Sequence, residues 1–250
     1  MKNRIVFMGS KPIGFHCLSY LINNSEKLEA EIVAVFSNEN KSLGEAAISE
    51  LARGIGLPVC KSQEKLNDLE YDYIISVQYH EIIRGAYLSK AKKMAINLHM
   101  APLPEYRGCN QFTFAILDGK KEFGTTLHIM SEGIDSGDII AERRFPVPQD
   151  CFVKELYDLT FKESCILFEE EIANILNGEV KAVAQSKFLG VRGCSMHFRK
   201  EIHRVKEIDL SWSEEKIWRH LRATSMPGFP PPYFKINGKK VNLLIDDSTE

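Results

Sequence analysis

The sequence predicts an α/β protein with a doubly wound, mostly parallel sheet. Short apolar runs alternate with amphipathic segments that are long enough to be helices. The first run, Arg4–Gly9, ends in a glycine turn and is followed by a helical pattern over Phe15–Ile22, the usual beginning of such a fold. The later runs are rich in valine and isoleucine, which is typical of strands covered on both faces.

The remaining elements continue this alternation. Strands are predicted at Glu31–Ser37, Pro58–Cys60, Tyr73–Val77, Ala95–Met100, Gly124–Met130 and Asp138–Arg143, and helices at Ala46–Gly54 and Phe152–Leu176. Asn177-Gly178 then ends the long helix, because glycine adopts the left-handed conformation of a helix end without strain. Ligands of parallel sheets bind beyond the carboxyl ends of the strands, so we expect functional residues at 76–80 and 98–100.

The character of the sequence changes after residue 189. Ser213, followed by two glutamates, predicts the start of a capped helix, and the prolines within Met226–Phe234 exclude one there. Asn237-Gly238 between two short extended runs predicts a β-hairpin. We therefore expect a main domain at 1–189 and a small C-terminal element at 190–250 that contains a helix and a β-hairpin.

Composition limits the classes of function. The 250 residues carry 32 Lys plus Arg against 34 Asp plus Glu, a net charge of −2. This balance argues against a nucleic-acid partner, which calls for a clustered basic surface. The six cysteines are scattered without metal-ligand spacing, which indicates reduced thiols in a cytoplasmic protein and no metal site. The N-terminal apolar run is too short for a signal peptide or a membrane span, so no membrane partner is expected.

The most informative strand is Ala95–Met100. Residues two apart in a strand project from the same face, so Asn97 and His99 lie side by side and reach beyond the edge of the sheet. With Asp135 in a glycine-rich turn downstream, the amide and the imidazole make a plausible acyl-transfer site. Taken alone, the pair slightly favours a structural interpretation, in which Asn97 caps a loop and His99 is a core histidine with satisfied hydrogen bonds.

Three linked segments carry a resemblance that changes this balance. In their order and spacing, Asn97–Gly108, Gly124–His128 and Gly133–Ile139 resemble the formyltransferases that use 10-formyltetrahydrofolate. The resemblance implies a formyltransferase-like, Rossmann-type catalytic domain at 1–189, 10-formyltetrahydrofolate as co-substrate and no metal. It also implies a catalytic trio of Asn97, His99 and Asp135, and a cis bond between Leu103 and Pro104.

The chemistry of formyl transfer assigns roles to the trio. The acceptor amine attacks as the free base, and the formyl oxygen becomes negative in the tetrahedral intermediate. Asn97 donates to that oxygen, while His99 either accepts the proton of the amine or stabilises the oxyanion in protonated form. Asp135 either orients His99 or relays the proton through water. The sequence leaves these alternatives open.

The resemblance also implies contacts to the pterin of the folate at two strand ends. The residues are Gln78, Tyr79, His80, Ile82, Ile83, Met130, Gly133 and Asp138. For His80 a place outside the pocket is an equal alternative. His128 lies on an apolar strand and is predicted to be structural.

Several residues are predicted to contact the phosphate groups of the substrate. Ser10 and Lys11 precede a helix whose free N–H groups attract phosphate, although a plain tight turn explains them equally well. The neighbouring glycines do not complete a dinucleotide fingerprint, so NAD is poorly supported. Arg107, near Asn110, suits a diphosphate through paired hydrogen bonds, with an exposed salt bridge as the alternative.

Three aromatic residues near the end of the chain, Phe229, Tyr233 and Phe234, are predicted to stack on the base of the nucleotide. The alternatives are that they pack against the main domain or form a subunit interface.

The end of the chain bears on the acceptor. About 60 residues beyond Gly190 are too few for the extra tRNA domain of the methionyl-tRNA branch of this family. The glycinamide ribonucleotide branch usually lacks a proline-rich tail, whereas Gly228–Lys239 resembles the hairpin of the sugar-nucleotide branch. The favoured function is N-formylation of a nucleotide-linked 3- or 4-amino-dideoxyhexose for surface polysaccharide (O-antigen) synthesis, by a homodimer. The other two acceptors and a non-catalytic nucleotide-binding protein stay open.

Overall fold

The computed structural model describes residues 2–37 and 48–245. The strands are β1 (Asn3–Gly9), β2 (Ala30–Phe36), β3 (Val59–Cys60), β4 (Tyr73–Val77), β5 (Met94–His99), β6 (Arg107–Gly108), β7 (Glu122–Ile129), β8 (Ile139–Pro146), β9 (Met196–His197), β10 (Tyr233–Ile236) and β11 (Lys239–Asn242). The helices are α1 (Lys11–Asn23), α2 (Ile48–Gly54), α3 (Gly85–Leu88), α4 (Gln111–Leu117), α5 (Val153–Leu176), α6 (Leu189–Arg192), α7 (Ile202–Val205) and α8 (Glu214–Thr224). A 3₁₀ helix occupies Gln63–Asp68, and single 3₁₀ turns occupy Gln185–Lys187 and Arg199–Glu201.

The central sheet has seven strands in the order β3-β2-β1-β4-β5-β7-β8. The five strands from β3 to β5 are parallel, whereas β7 and β8 are antiparallel to their neighbours. The predicted doubly wound, mostly parallel sheet is therefore confirmed. Because β5 is parallel on one side and antiparallel on the other, it lies where the chain direction in the sheet reverses.

Apolar side chains cover both faces of the sheet. Along β1, Ile5 and Phe7 belong to a cluster with residues of α1 and α5, while Val6 and Met8 belong to a second cluster on the other face. Alternate residues of a strand point to opposite faces, so a strand with both sets buried lies in the middle of a three-layer fold. Among the described helices, none combines the length and the apolar character needed to cross a membrane.

The predicted elements occur with shifted ends. The first helix begins at Lys11, four residues before the predicted Phe15, because Pro12 suits the first turn of a helix rather than breaking it. The second helix runs from Ile48 to Gly54; its predicted start at Ala46 lies outside the described residues. The long helix ends at Leu176 as predicted, and the Leu103–Pro104 bond is cis, as the resemblance implied.

The C-terminal region contains both predicted elements. The Ser213 side chain accepts a hydrogen bond from the Lys216 N–H at the start of α8. Strands β10 and β11 pair antiparallel around Asn237 and Gly238, both with positive φ, which confirms the hairpin. Further upstream, β9 pairs with β6, so the chain beyond residue 190 adds a strand beside the segment that follows β5. The division between 189 and 190 stays a prediction.

Candidate active site

Asn97, His99 and His128 project from one face of the paired strands β5 and β7. Asn97 lies directly opposite His128 in the antiparallel register. Its amide Nδ2 is 3.1 Å from His128 Nε2, while His128 Nδ1 is 2.8 Å from the carbonyl oxygen of Ile129. A carbonyl only accepts, so Nδ1 carries the hydrogen and Nε2 accepts from Asn97. Within the described residues, the second N–H of the Asn97 amide has no hydrogen-bond partner, so it can meet a substrate oxygen.

His99 is buried, and a hydrogen bond to a backbone carbonyl holds its ring in one orientation. Its Nε2 lies 2.6 Å from the carbonyl oxygen of Tyr106, so this nitrogen carries a hydrogen and donates it. The Tyr106 ring is itself fixed, because its hydroxyl donates to Asp118 Oδ2 over 2.7 Å. The nitrogen of His99 that can gain or lose a proton at the site is consequently Nδ1. It faces Asp135 Oδ2 at 3.6 Å.

Asp135 lies between the two imidazoles. Its Oδ1 is 3.6 Å from His128 Nε2, and its Oδ2, besides facing His99, accepts the backbone N–H of Gly108 at 2.8 Å. Burial alone would raise the pKa of the Asp135 carboxyl, but His99, His128 and the Gly108 N–H together hold that pKa well below its usual range. Asp135 is therefore a fixed negative charge at neutral pH.

Two glycines allow the loops to approach this closely. A Cβ on Gly108 would lie 2.2 Å from the carbonyl oxygen of His197 in β9, and one on Gly137 would lie 1.9 Å from that of Ile129 in β7. Both contacts are with backbone, which cannot rotate away. Gly108 also has a φ of 83°, a region that disfavours side chains. The resembling motifs thus contain glycine where the acidic turn and the loop after β5 are pressed against strands.

Backbone strain concentrates at the predicted site. Seven described residues other than glycine have positive φ, and four of them are predicted site residues: Lys11, Gln78, Asn110 and Asp135. Such a conformation costs of order 1 kcal/mol or more at each residue and persists only where the surroundings impose it. Strained residues tend to gather at binding and catalytic sites, so this grouping supports a functional site at these loops.

The two segments predicted to hold the pterin lie next to each other. Tyr79 and Met130 pack against one apolar cluster that contains Ile83, whereas Ile82 is 71% exposed on the same loop. Burial raises the pKa of the Tyr79 hydroxyl to about 12, and this hydroxyl has no hydrogen-bond partner within the described ranges. His80, Gly133 and Asp138 are exposed on these loops. The contacts of these residues with folate stay a prediction.

Ser10 and Lys11 meet the folate segment at Gln78. The Ser10 hydroxyl donates to the Gln78 carbonyl, and Lys11 Nζ donates to Gln78 Oε1 at 2.8 Å. Partial loss of hydration and the nearby positive charge of Arg199 lower the pKa of Lys11. In the described part of the chain, neither Lys11 nor Arg199 forms an ion pair with a carboxylate. Two positively charged side chains without a carboxylate partner in the described residues are suited to bind an anionic ligand.

Arg107 and Asn110 contact protein groups. Arg107 Nε and Nη2 both donate to Gln185 Oε1, at 3.0 and 2.6 Å, and the predicted contact with phosphate stays a prediction. The Asn110 amide donates to the carbonyls of Phe198 and Arg199, at 2.9 and 3.3 Å. Asn110 thereby holds the segment that carries Arg199, whatever contact it makes with substrate.

The three C-terminal aromatic residues have different surroundings. Tyr233 is buried under Lys240 Nζ and donates from its hydroxyl to Glu207. Phe234 lines a cavity of about 730 Å³ together with Trp212 and His220, and Phe229 is 49% exposed. These contacts leave Phe229 and Phe234 as the better platforms for a base, and the stacking role of all three stays a prediction.

Three residues at or beside the site were not predicted to be functional. His128 was expected to be structural, yet it bonds Asn97 and faces Asp135; its register opposite Asn97 emerges only once β7 pairs antiparallel with β5. Gln185 and Arg199 lie in single 3₁₀ turns far along the chain, and no local pattern of the sequence marks them. Within the described residues, no three His, Cys, Asp or Glu side chains are arranged to hold a metal ion.

A doubly wound sheet that presents an amide, two imidazoles and a carboxylate at one strand end is the arrangement of an α/β enzyme that transfers an acyl group. The sequence profile of the formyl transferase family matches residues 3–170, well over half of the chain. The chain belongs to this family and is an enzyme.

The chain is similar to curated proteins and to solved structures of the same family. The GDP-perosamine N-formyltransferase of Brucella melitensis is 30% identical over 227 residues, 89% of this chain and 85% of the relative. The methionyl-tRNA formyltransferase of Listeria innocua is 28% identical over 238 residues, 89% of this chain and 72% of the relative. The Helicobacter canadensis N-formyltransferase, solved with folinic acid and dTDP-3-aminofucose, superposes with a TM-score of 0.77 at 22% identity, covering 96% of this chain and 86% of that one. This last similarity shows the shared fold.

Proposed function

We propose that this enzyme transfers the formyl group of 10-formyltetrahydrofolate to the amine of a nucleotide-linked 3- or 4-amino-dideoxyhexose. The observation that carries the proposal is the cluster in which Asp135 lies 3.6 Å from both His99 and His128, with the Asn97 amide alongside. The product would serve surface polysaccharide synthesis of the O-antigen type. A cytoplasmic location and a homodimer belong to the same proposal.

The cluster supplies the groups that the reaction needs. The free amine attacks the formyl carbon, and as the C–N bond forms, the negative charge on the formyl oxygen is met by the unused N–H of Asn97. His99 Nδ1 accepts the proton that the amine loses, since Nε2 is occupied by the Tyr106 carbonyl. The charge of Asp135 stabilises the resulting imidazolium. Collapse of the intermediate breaks the bond between the formyl carbon and the folate nitrogen. This nitrogen takes the proton from the His99 imidazolium and leaves as the neutral amine of tetrahydrofolate, which regenerates His99.

The folate segments suit a flat heterocycle. The exposed Ile82 and the half-buried Met130 offer apolar contact, and the turns at 78–83 and 130–135 bring backbone groups to the edge of that surface. A pterin ring needs apolar contact on its faces and hydrogen bonds around its rim. The buried Tyr79 hydroxyl adds a donor without a described partner in this region.

The nucleotide part is proposed to bind on the side of Lys11. A diphosphate carries two negative charges, and Lys11 with Arg199 presents two cations beside the first N–H groups of α1. The Ser10 side chain donates to Gln78 rather than capping the helix, so it does not compete for these N–H groups. The Brucella melitensis relative, named for GDP-perosamine, favours a nucleotide sugar as acceptor.

A panel of acceptors tests the proposal. The purified enzyme is incubated with 10-formyltetrahydrofolate and, in turn, with dTDP-, UDP- and GDP-linked 3- and 4-amino sugars, glycinamide ribonucleotide and methionyl-tRNA. Tetrahydrofolate release is followed, and the product is identified by mass spectrometry. We expect one nucleotide sugar to be formylated at least 100-fold faster than the last two acceptors. Preference for methionyl-tRNA or glycinamide ribonucleotide would refute the acceptor, and no formylation of any amine would refute the activity. The folded His99→Ala variant serves as the blank.

A further inference from the structure

Gln185 is a buried residue whose side-chain nitrogen and oxygen both form hydrogen bonds within the protein. It is 3% exposed and lies in the 3₁₀ turn Gln185–Lys187. Its Nε2 donates to the carbonyl oxygens of Asp135 at 2.9 Å and Gly137 at 2.7 Å, and its Oε1 accepts from two nitrogens of Arg107. Carbonyls only accept and guanidinium nitrogens only donate, so the orientation of the amide is unambiguous.

These bonds join the two loops that hold the Asp135 carboxylate. The acidic turn carries Asp135 itself, and the loop of Arg107 carries Gly108, whose N–H donates to Asp135 Oδ2 at 2.8 Å. One amide therefore fixes both the backbone of Asp135 and the segment that anchors its side chain. The support is firm on the other side as well, because Val183 exchanges two backbone hydrogen bonds with Ile139 at the start of β8, 2.7 and 2.8 Å long.

The acidic turn needs such support. Asp135 has a φ of 47°, which a side-chain residue adopts only when its surroundings impose it. Its carboxylate is 3.6 Å from each imidazole, so a small rotation of the turn changes both distances. Within the described residues, the amide of Gln185 is the side-chain donor to the backbone of Asp135 and Gly137.

We propose that Gln185 is a positioning residue that sets the distance of the Asp135 carboxylate from His99, with Arg107 locking the Gln185 amide in place. It acts through Asp135 and does not touch the reacting atoms. The inference rests on the proposed catalytic role of Asp135. It also gives Arg107 a function other than the predicted contact with phosphate.

The chain provides a matched control in Asn3. This residue is also a buried amide, 8% exposed, whose Nδ2 donates to the Leu176 carbonyl at 3.1 Å and whose Oδ1 accepts from Lys93 Nζ at 2.6 Å. It lies at the amino end of β1, away from the carboxyl ends of the parallel strands where the site is formed. Asn3→Leu and Gln185→Leu thus remove similar buried amides at opposite ends of the sheet.

Steady-state kinetics with the acceptor that the panel identifies form the first arm. We expect Gln185→Leu and Gln185→Glu to lower kcat about 10- to 100-fold, the usual cost of a small misplacement, while KM for both substrates changes less than about threefold. Gln185→Glu keeps an acceptor for Arg107 but turns an oxygen towards two carbonyls, so it separates the two halves of the contact. Asn3→Leu should keep kcat within about twofold of the wild type. If Gln185→Leu does not fold, Gln185→Asn, one methylene shorter, should show the same split.

Hydrogen exchange without substrate forms the second arm. The Gly108 amide donates to Asp135, whereas the flanking amides of Arg107 and Cys109 donate to the carbonyls of Ser195 and His197 in or beside β9. We expect Gln185→Leu to speed exchange at Gly108 about tenfold or more, with the two flanking amides unchanged, and Asn3→Leu to leave all three unchanged.

Three kinetic results, besides the exchange result given below, overturn the inference. They are a folded Gln185→Leu with the kcat of the wild type, an equal loss of kcat in Asn3→Leu, and a rise in nucleotide-sugar KM at constant kcat, which would make the Gln185–Arg107 pair a binding element. The exchange arm needs no substrate. A wild-type enzyme without formyl transfer therefore refutes the proposed function, while unchanged exchange at Gly108 refutes the support that Gln185 gives to Asp135.

Discussion

Replacing Asp135 by asparagine removes one charge from the centre of the site while keeping its shape. The asparagine oxygen can still accept the Gly108 N–H, which now lies 2.8 Å from Asp135 Oδ2. What is lost is the attraction between the carboxylate and the imidazolium that forms when His99 takes the proton of the amine. Asp135→Asn therefore tests the electrostatic contribution of Asp135 apart from its packing.

The structure sets the size of the effect. Two unit charges 3.6 Å apart attract by about 4 to 5 kcal/mol at an effective dielectric constant of about 20. About 1.4 kcal/mol corresponds to a factor of ten in rate, which gives roughly three orders of magnitude. The Asp135 side chain is 15% exposed, so water screens part of this attraction. We expect kcat of Asp135→Asn to fall about 100- to 1000-fold, with both KM values nearly unchanged.

The assay is tetrahydrofolate release at saturating concentrations of both substrates, with folding checked by circular dichroism. A folded variant with kcat within about threefold of the wild type would refute the argument. It would mean that the attraction between Asp135 and His99, 3.6 Å apart, does not stabilise the transition state. Asp135→Glu separates charge from position. It keeps the carboxylate but displaces it by a methylene, and we expect it to recover only part of the lost rate.

Stability against pH checks the ionised state of Asp135 independently. The folded protein holds the pKa of this carboxyl below its value in the unfolded chain, about 3.9. Its contribution to stability is therefore fully present above the unfolded value and is lost as the pH falls through the folded value. The difference in Tm between wild type and Asp135→Asn should hold at about pH 5 to 8 and shrink below about pH 4. A difference that grows on acidification would contradict the lowered pKa.

Three further predictions concern other residues of the predicted site. Asn97→Ala and His99→Ala should each reduce kcat by about 100-fold or more in a folded protein, the cost of a lost oxyanion donor or proton acceptor, and near-normal turnover in either would exclude that role. Lys11→Met should raise KM for the nucleotide sugar about tenfold or more with little effect on folate KM; an equal rise in both would place Lys11 elsewhere. Phe229→Ala should raise nucleotide-sugar KM about 5- to 100-fold if the base stacks there, and unchanged constants would leave Phe229 without that role.

The sheet and the catalytic strand were readable from the sequence because their signals are local. An apolar run such as Tyr73–Val77 is a strand whatever surrounds it, and a spacing of two places Asn97 and His99 on one face by geometry alone. The Asn237-Gly238 turn likewise carries its own conformational preference. The start of α1 differs from the prediction for a local reason too, since Pro12 is accommodated in the first turn of the helix.

The residues that were missed have partners far away in the chain. His128 reads as a core residue on β7 until antiparallel pairing sets it opposite Asn97. Gln185 lies 50 residues beyond Asp135 and 78 beyond Arg107, so no window of the sequence contains its contacts. Arg107 is predicted to contact phosphate because a loop arginine beside a strand end has that chemistry, and this stays a prediction. The Gln185 amide that Arg107 contacts in the structure is a partner that only the folded chain supplies. Local sequence patterns predict the reacting groups, and the tertiary structure shows which residues hold those groups in place.

The position of Asp135 gives the two histidines different roles in the proposed mechanism. His99 Nε2 donates to the Tyr106 carbonyl, which leaves Nδ1 for the proton exchange that we propose. His128 Nδ1 donates to the Ile129 carbonyl, and its Nε2 accepts from Asn97. A proton on His128 Nε2 would compete with Asn97 for that nitrogen and would face Asp135 at 3.6 Å. While His128 is neutral, it orients the Asn97 amide, and Asp135 remains free to stabilise charge on His99. His128→Phe should therefore lower kcat by loosening Asn97, whereas His128→Gln, which retains an acceptor, should recover part of the loss. Equal rates in the two variants would show that His128 is only packing.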